Sequence, residues 1–251
     1  MISSKNKENP ILSLFCNILI PVIILKNGNK WINNILNKYY GEEWTYQNFS
    51  IVDISSIVFF VALIFPVFYF FYDLLSRKNI NYISILGFIN ILLTGGIGVF
   101  GAKLGFSKFW FILKEGLLPI IIALMLIIMS KYRKSSFNSI LLNKVLFDND
   151  KISNFIKEDM KNEFEYIVRK AGYHLIAGFF ISSIIQFGLA YLIVVSNPGE
   201  PSFNKEVSTM TWVSYIAVLL PTMLIVGKGF LGLISGIEKI TGLKKEEFLL
   251  S

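Results

Sequence analysis

Apolar residues run along this chain in six long blocks separated by shorter polar stretches: about Pro10 to Lys26, Ile51 to Leu75, Tyr82 to Ala102, Phe109 to Ser130, Ala171 to Ser196 and Thr211 to Ser235. A bilayer core about 30 Å thick needs roughly 20 apolar residues to cross it as a helix. Hydrocarbon offers no partner to backbone N–H and C=O groups, and the blocks are too long and too continuously apolar for barrel strands, so helices are expected. The pattern predicts an all-α, polytopic transmembrane helical bundle of about six spans in a single integral membrane domain over residues 1–251. Asn17 and Pro21 interrupt the first block, which fits a short span or a re-entrant helix.

Between the fourth and fifth blocks the periodicity changes. Ile152, Phe155, Ile156, Met160, Phe164 and Ile167 recur at three- and four-residue steps behind the candidate caps Asp148 and Asp150, which predicts an amphipathic helix within a basic loop over residues 131–170. Its apolar stripe has three readings: it lies in the headgroup layer, extends the fifth span, or docks on its own bundle. A smaller interfacial helix is expected over Trp31 to Tyr40, and Trp44 and Trp212 suit an aromatic belt.

Composition agrees with a bilayer environment. Of 251 residues, 54% are hydrophobic and 16% charged, with a mean hydropathy of +0.59, whereas a soluble domain carries about 25% charged residues. Cys16 is the single cysteine and His174 the single histidine, so neither a disulfide framework nor a His/Cys zinc cluster is supported. Lys5 and Lys7 precede an apolar run as in a signal peptide, but "KNGNKW" offers no small-x-small cleavage site, so an uncleaved first span is expected. The net charge of +7 would point to nucleic acid in a soluble protein; here the excess sits beside spans, where it reports orientation and anionic lipid headgroups.

Orientation follows from counting Lys and Arg in the connections. One side holds Lys5, Lys7, Arg77, Lys78, Lys239, Lys244 and Lys245, with Lys131, Arg133, Lys134, Lys144, Lys151, Lys157, Lys161, Arg169 and Lys170 of the long loop. The other holds Lys26, Lys30, Lys38, Lys103, Lys108 and Lys205. The asymmetry predicts both termini in the cytoplasm.

At 1.5 Å per helical residue, the intramembrane polar residues sort by depth. Asp53, Lys114 and Glu115 fall in the outer part, Asp73, His174 and Lys228 in the inner part, and Asn17, Asn90, Gln186, Pro119 and Pro221 between them. Ionisable groups at such depths are costly and mark candidate sites, Glu115 first. Lys114 and Glu115 are neighbours whose side chains diverge by about 100°, so each is expected to need another partner. Asp53 is the candidate for Lys114, with snorkelling to the outer interface as the plainer reading. Asp73 has Arg77 four residues later as a surface partner, and His174 and Lys228 read as interfacial, a proton relay through Asp73, His174 and Lys228 being the sharper alternative.

Gly95, Gly96, Gly98 and Gly101 concentrate in the outer half of the third block. They predict a helix-packing seam or an unwound segment lining a site; the phosphate-loop pattern is absent. Pro21, Pro119 and Pro221 each free a backbone carbonyl and are candidate hinges. The octets "NILIPVII" and "EGLLPIII" align proline to proline, as a duplication of three plus three spans would place them. No nucleophile elbow or kinase signature occurs, so no catalytic residue is assigned.

The stretch "LTGGIGVFGAKLGFSKFWFILKEGLLPII", followed later by "TMTW" from Thr209 to Trp212, resembles the intracellular septation protein A family of bacterial inner-membrane proteins. The resemblance covers roughly residues 80–226; the longer N-terminal portion and longer basic loop are closer to that family's uncharacterised relatives. It implies a non-enzymatic role in envelope maintenance or division in the bacterial cytoplasmic membrane, with envelope or division proteins as partners and no cofactor. The competing reading is a transporter or lipid-handling protein with Lys114 and Glu115 lining a cavity.

Overall fold

The computed structural model describes residues 12, 15–42, 54–77, 82–144 and 146–250, and within them the chain is helical. A π-helical turn, Phe15–Leu19, leads into α1 (Ile20–Tyr40); α2 is Ile54–Arg77; α3 (Tyr82–Gly95) passes through a second π-helical turn, Gly96–Phe100, into α4 (Gly101–Leu104). Then come α5 (Lys108–Tyr132), α6 (Lys134–Leu141), α7 (Asn149–Phe155), a 3-10 turn Glu158–Met160, α8 (Lys161–Ile193), α9 (Phe203–Thr241) and α10 (Lys245–Phe248). Four helices are long and apolar enough to cross a membrane: Ile54–Leu75, Lys108–Tyr132, Glu158–Ile193 and Phe203–Thr241; Phe88–Leu104 is a shorter apolar helix. The protein is therefore an all-helical membrane protein.

The first block and the expected interfacial helix differ from the sequence reading. From Ile20 onward they are one continuous helix through Lys26, Asn27 and Gly28 to Tyr40. The polar interval contains no proline, the Asn27 amide donates to the Ile23 carbonyl one turn back, and Gly28 lets α1 lie against Val58 of α2. Helix continuity needs only backbone bonds and tolerable side chains, so the loss of hydrophobicity ends the apolar block without ending the helix.

Residues gather into two compact units, one of Met1–Glu115 with Phe187–Tyr215 and one of Gly116–Gln186 with Ile216–Ser251. In the first, Leu25, Phe59, Ala62, Ile97, Phe111, Ile112, Val194, Phe203 and Met210 form the core. Lipid is as apolar as these side chains, so close packing drives association here, and glycine supplies it. A Cβ placed on Gly95 would lie 2.5 Å from Leu63, on Gly98 2.5 Å from the Phe59 ring and on Gly101 2.8 Å from Pro198, whereas one on Gly96 meets nothing within 4 Å. Three of the four glycines thus form the packing seam; Gly96 does not. Gly105 ends α4 with φ +67, a left-handed conformation suited to glycine.

In the second unit the basic loop folds into a cap. Asp148 accepts from the Lys151 N–H and starts α7, while Asp150 lies in its first turn. Residues from Lys161 onward extend the fifth block as α8. Ile152, Ile156, Phe164 and Ile167 pack with Phe147, Val168, Leu233, Ile237 and Phe248, so this part of the stripe docks on its own helices; Phe155 stays exposed. The Asp148 N–H donates to the Phe248 carbonyl and the Leu250 N–H to that of Leu146, pairing loop and C-terminal segment as a short antiparallel bridge. In water, each fully buried Phe or Ile of this cap contributes about 1.5–3 kcal/mol.

Gly98→Val tests the seam. Phe59 is buried and cannot yield, so a loss of about 1–3 kcal/mol in detergent unfolding is expected, with Gly96→Ala close to neutral.

Candidate functional site

The strongest polar constellation lies in the first unit, where α3 meets the start of α5. The Lys114 ammonium donates to the Asn90 Oδ1 at 3.1 Å and to the Thr94 hydroxyl at 2.7 Å, and pairs with the Glu115 carboxylate. It also stands 5.1 Å from the Phe111 ring centroid. An ammonium has three N–H donors and no acceptor, so all three are satisfied within the protein. Thr94 completes the network by donating to the Asn90 carbonyl at 2.8 Å. The side chains of Lys114 and Glu115 are only 5% and 14% exposed, which identifies a sealed charge cluster.

This corrects two sequence expectations. Lys114 and Glu115 do pair, because the four-carbon lysine stem swings its ammonium back across the angular offset between adjacent residues. Lys114 is also buried, since the two oxygens of Asn90 and Thr94, four residues apart on one helix face, hold it inside and leave no reason to snorkel. Asp53, its expected partner, lies outside the described residues, as do Trp44, Lys5 and Lys7. Thr94 was not singled out from the sequence; its i, i+4 spacing from Asn90, near the depth of a buried cation, is the signal that would have found it.

The other candidates do not join this cluster. His174 contributes its Nδ1–H to the Lys170 carbonyl at 2.9 Å and packs against Gly229 of α9. Lys228 is exposed on α9 and Asp73 is half-buried on α2. Gln186 donates to Ser182 one turn back, and Asn17 sits in the first π-helical turn. Pro21 occupies the first turn of α1, while Pro119 and Pro221 lie inside α5 and α9, as does Pro66 inside α2. Near Pro119, the Gly116 carbonyl accepts from the buried Ser183 hydroxyl at 2.6 Å, one way that neighbouring helices re-satisfy backbone loosened by proline.

A second polar network secures the connection between α8 and α9. Glu206, in the first turn of α9, accepts from the Val195 and Ser196 N–H groups at 2.9 and 2.8 Å and from the Ser196 hydroxyl at 2.7 Å. Its charge also favours the helix N-terminus on which it sits. Nearby, Asn204 donates to the Ser55 carbonyl and Ser208 to that of Val22, tying α9 to α2 and α1. An apolar cavity of about 310 Å³ lies between Leu12, Cys16 and the Ile64–Tyr72 face of α2, and no acidic or basic side chain lines it. Among the described residues no three His, Cys, Asp or Glu side chains gather as metal ligands.

No family model, curated protein or solved structure matches the chain.

Removing Lys114 alone leaves the largely buried Glu115 charge without its partner. Lys114→Met is expected to cost about 3–5 kcal/mol in detergent unfolding. The double change Lys114→Met/Glu115→Leu, which removes both charges, should recover most of that loss.

Proposed function

We propose that the chain is a non-enzymatic, structural protein of a bacterial inner membrane, with six spans, both termini in the cytoplasm, and a role in envelope maintenance or division. The supporting observation is the sealed Lys114 cluster: every ammonium donor is used by Asn90, Thr94 or Glu115. A cation bound in this way fixes α3 against α5. The glycine seam on Phe59 and Leu63 adds close packing to the same unit. The resemblance of residues 80–226 to the septation protein A family supports the envelope assignment, and the excess of Lys and Arg in one set of connections supports the orientation. The basic cap then faces anionic headgroups of the inner leaflet, and envelope or division proteins are the partners. The aligned octets around Pro21 and Pro119 support a duplicated three-span unit.

A transporter is the second reading, favoured by the π-helical turn Gly96–Phe100 that begins two residues after Thr94, a local irregularity frequent at functional sites. The two readings diverge at Glu115→Gln. A structural role predicts reduced abundance or altered partner capture in cells, measured by quantitative blotting and crosslinking. A transport role predicts normal abundance with lost activity. Orientation is checked separately in a Cys16→Ser background: a cysteine at Lys144 should react with a membrane-impermeant maleimide only after the inner face is opened, and one at Lys205 in intact cells.

A further inference from the structure

Within the second unit, α8 and α9 run antiparallel along a seam of close contacts. A Cβ on Gly236 would lie 2.6 Å from Ile167, one on Gly229 2.5 Å from His174, and one on Gly178 2.7 Å from Val226. These positions recur at steps of seven and then four along α8 and of seven and then three along α9, as in paired helices, and leave two flanks beside the seam. One flank is marked by the ion pair of Glu163 on α8 with Lys239 on α9, 3.6 Å apart.

Seven residues return a helix to nearly the same flank. Moving seven residues from Glu163 away from the cap reaches Lys170, and moving seven from Lys239 in the same direction reaches Gly232. Where the previous level sets a carboxylate against an ammonium, this level sets an ammonium against an open notch, since a Cβ on Gly232 meets nothing within 4 Å. Lys228 lies one turn from Gly232 on the same face. Lys170 and Lys228 are both exposed, and neither ammonium has a partner among the described residues. The nearby acidic groups are engaged or turned away: Glu163 holds Lys239, Glu238 accepts from the Lys245 N–H, and Glu165 projects about 200° around α8 from Glu163. Farther from the cap, the same flank becomes apolar at Ala177 and Ile225.

We propose that Lys170, Lys228 and the Gly232 notch form a binding site for the phosphodiester headgroup of an anionic phospholipid, with its acyl chains running along the apolar flank beyond. The missing side chain at exposed Gly232 leaves room for the phosphate beside the seam, and two ammonium groups with no carboxylate between them supply the complementary charge. The site rests on the membrane reading alone; it is independent of the envelope role and of the Lys114 cluster.

The test uses the full chain in phosphatidylcholine vesicles containing spin-labelled phosphatidylglycerol, with spin-labelled phosphatidylcholine as reference. The protein should immobilise the anionic lipid preferentially. Lys170→Gln/Lys228→Gln should weaken that preference roughly tenfold or more. Gly232→Leu, which keeps every charge and fills the notch, should weaken it comparably. Lys30→Gln/Lys38→Gln, removing equal charge from exposed positions of α1, should leave it nearly intact, and millimolar inorganic phosphate should not displace the lipid. Equal loss in both double variants, an unaffected Gly232→Leu protein of unchanged helicity, displacement by free phosphate, or no preference in the parent chain would each overturn the site. Failure to incorporate into vesicles at all would instead overturn the membrane reading beneath it.

Discussion

Hydrocarbon cannot hydrogen-bond, and that constraint organises this protein from backbone to charge. Every peptide group in a span must find its partner inside the chain, so the apolar blocks become helices. The same demand applies to the side chains within them. Lys114 meets it by donating to Asn90, Thr94 and Glu115, and Ser183 meets it by donating to the Gly116 carbonyl near Pro119. In such a setting a polar contact is less an added stabilisation than the avoidance of an unpaired buried group.

Packing follows a different logic in different parts of the chain. Along the spans there is little hydrophobic force between helices, so contact depends on shape. The absence of side chains at Gly95, Gly98 and Gly101, and again at Gly178, Gly229 and Gly236, lets larger neighbours approach to distances that a Cβ would forbid. Where the loop and the C-terminal segment close over α8 and α9, Phe147, Ile152, Val168, Ile237 and Phe248 form a buried apolar core. α9 has the least covered apolar stretch of the four long helices, 11% buried against 39% for α2 and α5. Lipid is the environment to which such a surface is suited.

Function follows from how completely the charges are used. A cluster whose donors are all satisfied internally is suited to holding helices in place, and less suited to exchanging ligands. Two exposed lysines without partners among the described residues, Lys170 and Lys228, lie elsewhere, on the α8–α9 flank beside Gly232.

The sequence alone determined the helical class, the membrane setting, the cap at Asp148 and the small-residue seam, because each rests on local periodicity, composition or a residue's own shape. It also located Lys114, Glu115 and Asn90 as exceptional. Tertiary structure decided who partners whom: that Lys114 turns back to Glu115, that Thr94 completes its shell, and that Gly96 stays outside the seam. Those outcomes depend on which face of one helix meets which face of another. Positions distant along the chain set that meeting, and hydrophobic periodicity carries no record of it.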